Sequence, residues 1–179
     1  MKADTPAAAA EGPTLNASSR LAVWRWAAPL LVAGCASNRV APPVVPAALR
    51  PPAGQSAFLE ALATGAQIHE CAAKPDAPAG FAWTFRAPEA ALTDRAGRSI
   101  GKHYAGPTWE SIDGSTVVGE VKARDPGPDG SAIPWLLLTA KSTAGAGDFG
   151  ATKSIQRVRT RGGVAPSTPC SANNAKQQV

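Results

Sequence analysis

The feature that most constrains the fold of this chain is a series of short segments that mix apolar and polar residues. Turns separate these segments at close intervals. The segment FAWTF (81–85) places three aromatic residues on one face, as a half-buried strand does. Asp113-Gly114, between two such segments, is the favoured signal for a type I′ hairpin. The candidate strands are segments 67–71, 81–85, 99–104, 108–112, 115–122, 133–140 and 154–160. Segment 133–140 contains the run WLLL (135–138) and is apolar enough to be buried on both faces. We therefore predict an all-β domain, a sandwich or barrel of about seven or eight short strands.

The composition agrees with a turn-rich β domain. Glycine and proline number 17 each, which is below the share typical of low-complexity chains, and only 17% of the residues are charged. The net charge is +5, and it is not concentrated in the block of lysines and arginines that marks a nucleic-acid-binding protein. We therefore expect no nucleic-acid partner.

The N-terminal part of the chain has the plan of an export signal. Arg20 and Arg25 precede a short apolar run, 26–33, and small residues stand directly before Cys35. Because a cysteine just after the cleavage point can receive a lipid through its thiol, we interpret residues 1–34 as a lipoprotein-type signal. The run is much shorter than the roughly 20 residues that span a bilayer. The alternative is a stray apolar patch in an unfolded N-terminus.

Lipidation of Cys35 would determine where the protein lies. Two acyl chains anchor a protein stably to a membrane, and Ala36 is compatible with the outer membrane, facing the periplasm. Secretion without a stable anchor is the alternative. Residues 35–53 are rich in proline and alanine and predict an extended tether without packing of its own. The folded domain is predicted over residues 54–179.

Two cysteines remain once Cys35 is lipidated. In an oxidising periplasm, a disulfide between Cys71 and Cys170 is the default expectation. It would close a loop of about 100 residues, which the chain-entropy model values at about 4–5 kcal/mol. Two separate buried thiols are the alternative.

The segment GKHYAGPTWE (101–110) and the nearby Asp113 form the densest group of chemically versatile residues. The segment contains His103, Tyr104, Trp109 and Glu110 around a Gly-Pro turn. Exposed aromatic rings can cover the apolar face of a sugar while histidine and carboxylates bind its hydroxyls. We predict that these five residues form a ligand-binding site, with an envelope glycan as the candidate ligand.

Two other interpretations of this segment stay open. Glu110 and Asp113 could be the carboxylate pair of a glycoside hydrolase, which requires a separation of about 5–10 Å across a cleft. Alternatively, Tyr104 and Trp109 belong to the core and Asp113 only forms the turn. In that case the protein is a purely structural component of the envelope.

Two patterns resemble catalytic motifs but lack their context. The segment GRSIG (97–101) has the spacing of a nucleophile elbow, yet it follows a turn and leads into a strand. The segment GAGDFG (145–150) matches a dinucleotide-binding pattern, but a strand follows it and no Asp or Glu comes after Asp148. We interpret it as a glycine loop and predict no cofactor. His69 and Cys71 make a poor ligand set, so no metal is predicted.

Arg157, Arg159 and Arg161 would lie on one face of the last predicted strand. Such a stripe could meet lipid headgroups or an anionic glycan, or it could be a solvated strand edge.

Four ordered segments resemble one family. They are GAQIHEC (65–71), GKHYAGPTWE (101–110) with DGS (113–115), IPWLLL (133–138), and IQRV (155–158) with GG (162–163) and Cys170. They are similar to a secreted bacterial and fungal family, domain of unknown function 3455, over about residues 54–170. The resemblance implies export, an all-β fold and a Cys71–Cys170 bridge, and it implies no known activity or catalytic residue. Some fungal members carry a malate dehydrogenase label, which the missing nucleotide-binding unit does not support.

One feature departs from this family. The family pattern continues past the last cysteine into a Tyr-rich terminal strand, whereas this chain ends in Gln177-Gln178-Val179. If that strand is missing, a neighbouring strand keeps an unpaired edge. We then expect a product less stable than longer relatives.

Overall fold

The computed structural model describes residues 40–179. The export signal predicted over residues 1–34 and the lipidation site Cys35 lie outside the described residues. The described part contains seven strands and two single-turn 3-10 helices, Ala47–Leu49 and Ala172–Asn174, which confirms the all-β prediction. The strands are β1 (Leu62–Ala73), β2 (Phe81–Thr93), β3 (Ser99–Tyr104), β4 (Thr108–Ser111), β5 (Thr116–Asp125), β6 (Trp135–Ala144) and β7 (Ser154–Arg157).

All seven strands form one antiparallel sheet in which each strand pairs with its neighbours in the sequence. This meander follows from the short connections, which favour hairpins between successive strands. Leu92, Val117 and Phe149 pack together in a buried cluster on one face of the sheet. Within residues 40–179, no helix is both long enough and apolar enough to span a membrane.

The apolar run in the middle of β6 is buried on both faces, as its sequence predicts. Leu136, Leu137 and Leu138 are all buried. Leu137 packs on one face against Val45 and Leu49. Leu136 and Leu138 face the other side, where they line a cavity.

The segment before β1 is packed, so the tether prediction is wrong for residues 45–49. Leu49 is fully buried and Val45 nearly so, because both side chains reach the hydrophobic patch around Leu137. The Leu49 carbonyl also accepts a hydrogen bond of 2.7 Å from Nε2 of Gln156 in β7. The folded part of the chain therefore includes residues on the N-terminal side of residue 54.

The hairpin predicted at Asp113-Gly114 is present, but its turn type differs. Gly114 has a φ of 83°, whereas Asp113 is not among the residues with positive φ. The Gly114 amide donates to the Ser111 carbonyl at 3.0 Å, and the Ser111 amide donates to the Ser115 carbonyl at 2.9 Å. This is a three-residue loop that ends in a glycine bulge, so only one position needs the left-handed conformation.

The disulfide between Cys71 and Cys170 is present. It attaches the segment after β7 to β1, at the opposite edge of the sheet. Beyond it, the Cys71 amide donates to the Gln177 carbonyl at 3.0 Å, and the His69 amide donates to the Val179 carbonyl at 2.9 Å. The edge of β1, which was expected to stay unpaired without a further strand, is hydrogen-bonded at these positions.

The segment after β7 also spans the gap between the two edges of the sheet. The Ile133 amide donates to the Gly162 carbonyl at 2.8 Å, which keeps this segment beside the start of β6. Gly163 lies against β1, since a Cβ atom there would be 2.9 Å from Cγ of Gln67. The sheet is thus curled and barrel-like, with its seam covered by residues 160–165.

The predicted stripe of three arginines is wrong. β7 ends at Arg157, and Arg159 has a φ of 54°, which interrupts the alternation of side chains. Arg157 lines the cavity, whereas Arg159 is exposed and lies 3.8 Å from Glu60.

Candidate functional site

The concave side of the curled sheet forms a half-open cavity of about 450 Å³. All seven strands contribute to its lining, which is mostly apolar. The lining comprises Gln67, His69, Phe85, Arg86, Pro88, His103, Gly106, Pro107, Trp109, Val121, Arg124, Ile133, Pro134, Leu136, Leu138, Arg157 and residues 163–165. A concave volume of this size lies within the range of small-molecule sites.

Two β-bulges set which side chains reach this face. The pairing of β1 with β2 skips Arg86, so Phe85 and Pro88 point to the same side although they are three residues apart. A second bulge, in β5, directs Val121 and Arg124 to the cavity side although they are also three residues apart. Without these bulges, the strict alternation of a strand would direct one member of each pair away from the cavity.

His103 and Trp109 meet inside the cavity. They lie opposite each other on β3 and β4, and their rings stack with centroids 4.2 Å apart and planes 10° apart. Nδ1 of His103 donates to the Thr108 carbonyl at 2.9 Å. Burial lowers the pKa of His103 below its ordinary value; the carbonyl of Thr108 opposes this change and the charge of Arg157 adds to it. His103 is therefore neutral near pH 7, with Nε2 as a free acceptor.

The indole of Trp109 is a packed wall of the cavity. A Cβ atom at Gly119 would lie 2.9 Å from Cζ3 of Trp109 and 2.9 Å from Cδ2 of Leu138, so the ring occupies the space that glycine leaves. With His103 stacked on it as well, Trp109 differs from the exposed aromatic platform that sugar stacking requires.

Two of the three arginines that line the cavity, Arg124 and Arg157, have no carboxylate partner within residues 40–179. Among residues 40–179, no aspartate or glutamate lines the cavity. Nη2 of Arg157 donates to the Pro134 carbonyl at 2.8 Å, while its Nε is buried without a hydrogen-bond partner. Burial lowers the pKa of Arg157, and the nearby charge of Arg124 lowers it further. Arg86 is paired with Glu70 at 2.7 Å, whereas Arg157 and Arg124 form none of the ion pairs of the described chain.

Tyr104 and Glu110 lie on the outer face of the sheet. Alternation along β3 and β4 directs them away from His103 and Trp109. The Tyr104 hydroxyl donates to Oε2 of Glu110 at 2.8 Å, and Nζ of Lys102 lies 3.1 Å from Oε1. The Tyr104 bond and then the Lys102 contact lower the pKa of Glu110, and the same Tyr104 bond raises the pKa of Tyr104. Glu110 thus lacks the raised pKa of a general acid.

Asp113 organises the turn and the glycine loop after it. Its carboxylate accepts hydrogen bonds from the Ser115 hydroxyl at 2.6 Å, the Ser115 amide at 2.8 Å and the Asp148 amide at 2.7 Å. These bonds lower its pKa to about 2. The Ser115 hydroxyl in turn accepts from the Phe149 amide at 3.0 Å, which places Phe149 in the core. Neither Asp113 nor Glu110 lines the cavity.

The second histidine, His69, also faces the cavity. Its Nδ1 lies 2.9 Å from the Gln67 carbonyl, and its ring meets the Phe85 ring edge-on, with centroids 5.7 Å apart. Its neighbour Cys71 is held in the disulfide. In the described part of the chain, no three His, Cys, Asp or Glu residues lie close enough to hold a metal ion.

Sequence reasoning found part of this site. It singled out His103 and Trp109, which the structure brings into the cavity, and three residues that lie elsewhere. It missed Arg157 as a site residue. The sequence contained one signal for it. Arg157 follows the apolar Ile155 by two positions, so in a strand both side chains point to the same face, and Ile155 packs against the buried cluster.

The comparisons with known proteins agree with the resemblance noted in the sequence. Residues 52–179 match the model of a family described as protein of unknown function (DUF3455). This region holds all seven strands and both cysteines of the disulfide. No curated protein and no solved structure matches the chain. The chain therefore belongs to the DUF3455 family of proteins of unknown function.

Proposed function

We propose that this protein binds a small molecule with a largely apolar body in the cavity of its curled sheet. The supporting observation is the concave volume of about 450 Å³, walled by apolar side chains such as Leu136, Leu138 and Val121. Phe85 and Val164 also line it and are about half exposed, which provides an apolar entrance. Apolar walls with a few polar groups are the usual form of small-molecule sites.

We further propose that this binding module is exported and anchored at the cell envelope through a lipid on Cys35, on the outer membrane facing the periplasm. The signal-like residues 1–34 support this location, and the Cys71–Cys170 disulfide fits an oxidising compartment. Cys35→Ser should move the protein from the membrane fraction to the soluble fraction of a bacterial host. Unchanged fractionation would contradict the anchor.

An apolar ligand fits the cavity better than an envelope glycan does. A glycan needs an open aromatic face and carboxylates for its hydroxyls, whereas Trp109 is packed and no carboxylate of the described chain lines the cavity. Glycoside hydrolysis by Glu110 and Asp113 has no support from the geometry. Both carboxylates are held ionised by local hydrogen bonds outside the cavity.

The test is a fluorescence titration with N-phenyl-1-naphthylamine, an uncharged apolar probe. The protein is the full chain carrying Cys35→Ser, produced under oxidising conditions. Val121→Phe should abolish the signal because the larger ring fills the cavity. Val118→Phe is the matched control on the same strand, since Val118 lies on the opposite face from the buried Val117. Equal binding by both variants, or no binding by the parent chain, would contradict the proposal, and displacement by soluble glycans would favour the glycan.

A further inference from the structure

We infer that the ligand is an amphipathic anion, an organic acid whose carboxylate bonds Arg157 while its apolar body lies against Leu136 and Leu138. The inference rests on the proposed function and names the chemical class that this cavity selects.

The first support is an uncompensated charge. Arg157 contributes its half-buried side chain to the cavity wall, and its Nε is buried with no hydrogen-bond partner among residues 40–179. No carboxylate among residues 40–179 forms an ion pair with it or lines the cavity. A half-buried guanidinium with one unsatisfied N–H group and no counter-charge is costly, so the site stabilises a bound anion by relieving that cost.

The second support is the strand register. Arg157 of β7 and Arg124 of β5 both pair with Leu136 of β6, so the two arginines flank this leucine on the cavity side. Strands lie about 4.8 Å apart, which places the two backbones roughly 10 Å from each other. Long side chains from such positions can converge on one anion, and a guanidinium binds a carboxylate through two parallel hydrogen bonds.

The third support is the apolar character of the rest of the cavity wall. Beyond Arg124 and Arg157, the cavity surface continues over Leu138, which is buried, and over Trp109, which packs against the buried cluster of Leu92, Val117 and Phe149. A fully hydrated anion such as inorganic phosphate would leave this apolar surface without a contact. A carboxylate with a hydrocarbon body satisfies both parts of the cavity at once.

The test compares decanoate with 1-decanol by isothermal titration calorimetry near pH 7. The two probes share a hydrocarbon chain and differ in charge, and the protein is again the full chain with Cys35→Ser. We expect decanoate to bind roughly tenfold or more tightly than decanol, because hydrogen bonds to charged groups are strong. Arg157→Met should remove this advantage, so that decanoate and decanol bind the variant about equally. Arg161→Met, which removes the same charge at an exposed position, should leave both affinities unchanged.

The outcomes separate the two proposals. Equal binding of decanoate and decanol, or an unchanged preference for decanoate in a folded Arg157→Met protein, overturns the anion inference and leaves the apolar cavity function intact. Failure of both probes to bind contradicts the proposed function itself. If Arg157→Met does not fold, Arg124→Met replaces it, because Arg124 is exposed. That variant should weaken decanoate binding severalfold more than decanol binding, and an unchanged preference for decanoate would overturn the inference.

Discussion

The imidazole of His103 lies flat on the indole of Trp109, with the ring centroids 4.2 Å apart, inside the cavity of the curled sheet. The stack forms because the two residues face each other across the β3–β4 ladder. It leaves Nε2 of His103 as an acceptor on the cavity side. The polar groups of the cavity therefore include a neutral histidine and two arginines, Arg124 and Arg157, that have no carboxylate partner among the described residues.

His103 should make the domain less stable in weak acid. Burial lowers its pKa below the ordinary value of 6.5, so the unfolded chain takes up a proton before the folded one does. The stability contributed by the neutral form of His103 is fully present above about pH 6.5, and it declines as the pH falls from there towards the folded-state pKa. We expect His103→Gln to flatten this decline in urea unfolding between about pH 7 and pH 5. An NMR titration of the His103 ring with a midpoint at or above its ordinary value would contradict this.

Leu49 should contribute to the stability of the domain although it precedes the sheet. It is fully buried beside Leu137, whereas Val44 nearby is 94% exposed. Leu49→Ala should lower the free energy of unfolding by about 2–5 kcal/mol through lost burial and a new cavity. Val44→Ala is the control and should cost less than about 0.5 kcal/mol. Similar melting temperatures for the two variants would mean that residues 45–49 are not part of the folded unit.

Asp113 should make part of the stability acid-sensitive. Its folded-state pKa of about 2 lies below the ordinary 3.8, so the stabilisation is present above the unfolded-state value and is lost as the pH falls through the folded-state value. Asp113→Asn should melt at a lower temperature than the parent chain near pH 6, and the gap should close as the pH approaches 2.

Asp129→Asn is the matched control for Asp113. Asp129 accepts the same pair of hydrogen bonds from Ser131, but no amide of a distant segment donates to it. Near pH 6, Asp129→Asn should lower the melting temperature less than Asp113→Asn does. An equal loss in both variants would show that the bond from the Asp148 amide to Asp113 contributes nothing.

The disulfide should hold the C-terminal segment on β1. Cys71 and Cys170 are separated by 99 residues, and replacing both with alanine should lower the free energy of unfolding by about 2–5 kcal/mol. Hydrogen exchange should accelerate at the amides of His69 and Cys71, which donate to the last residues of the chain. Amides of the β5–β6 ladder serve as the internal reference. Unchanged exchange at His69 would mean that the terminal segment docks without the bridge.

Most of the strand pattern could be predicted because it depends on local signals. The aromatic alternation at 81–85 and the turn at Asp113-Gly114 both mark elements that the structure contains. The apolar run of β6 predicted burial on both faces correctly. The predicted turn type was wrong because Asp113 and Gly114 also fit a three-residue loop that ends in a glycine bulge.

The site was only partly predictable because its composition depends on how the strands align. His103 and Trp109 were found as neighbours of a turn, yet Tyr104 and Glu110 point the other way by simple alternation. Arg157 was interpreted as part of a stripe with Arg159 and Arg161, since no local pattern shows that β7 ends at Arg157.

The sequence by itself determined an all-β domain of about seven strands and made one disulfide the default expectation, since turn chemistry, strand periodicity and cysteine number can be read without knowing how distant segments pack. Only the tertiary structure decided that the sheet curls around a cavity and that, within residues 40–179, Arg124 and Arg157 lack carboxylate partners. Bulges change the face of a side chain, and curling brings distant strands to one surface. Both depend on packing between strands that are far apart in the sequence, which no local pattern encodes.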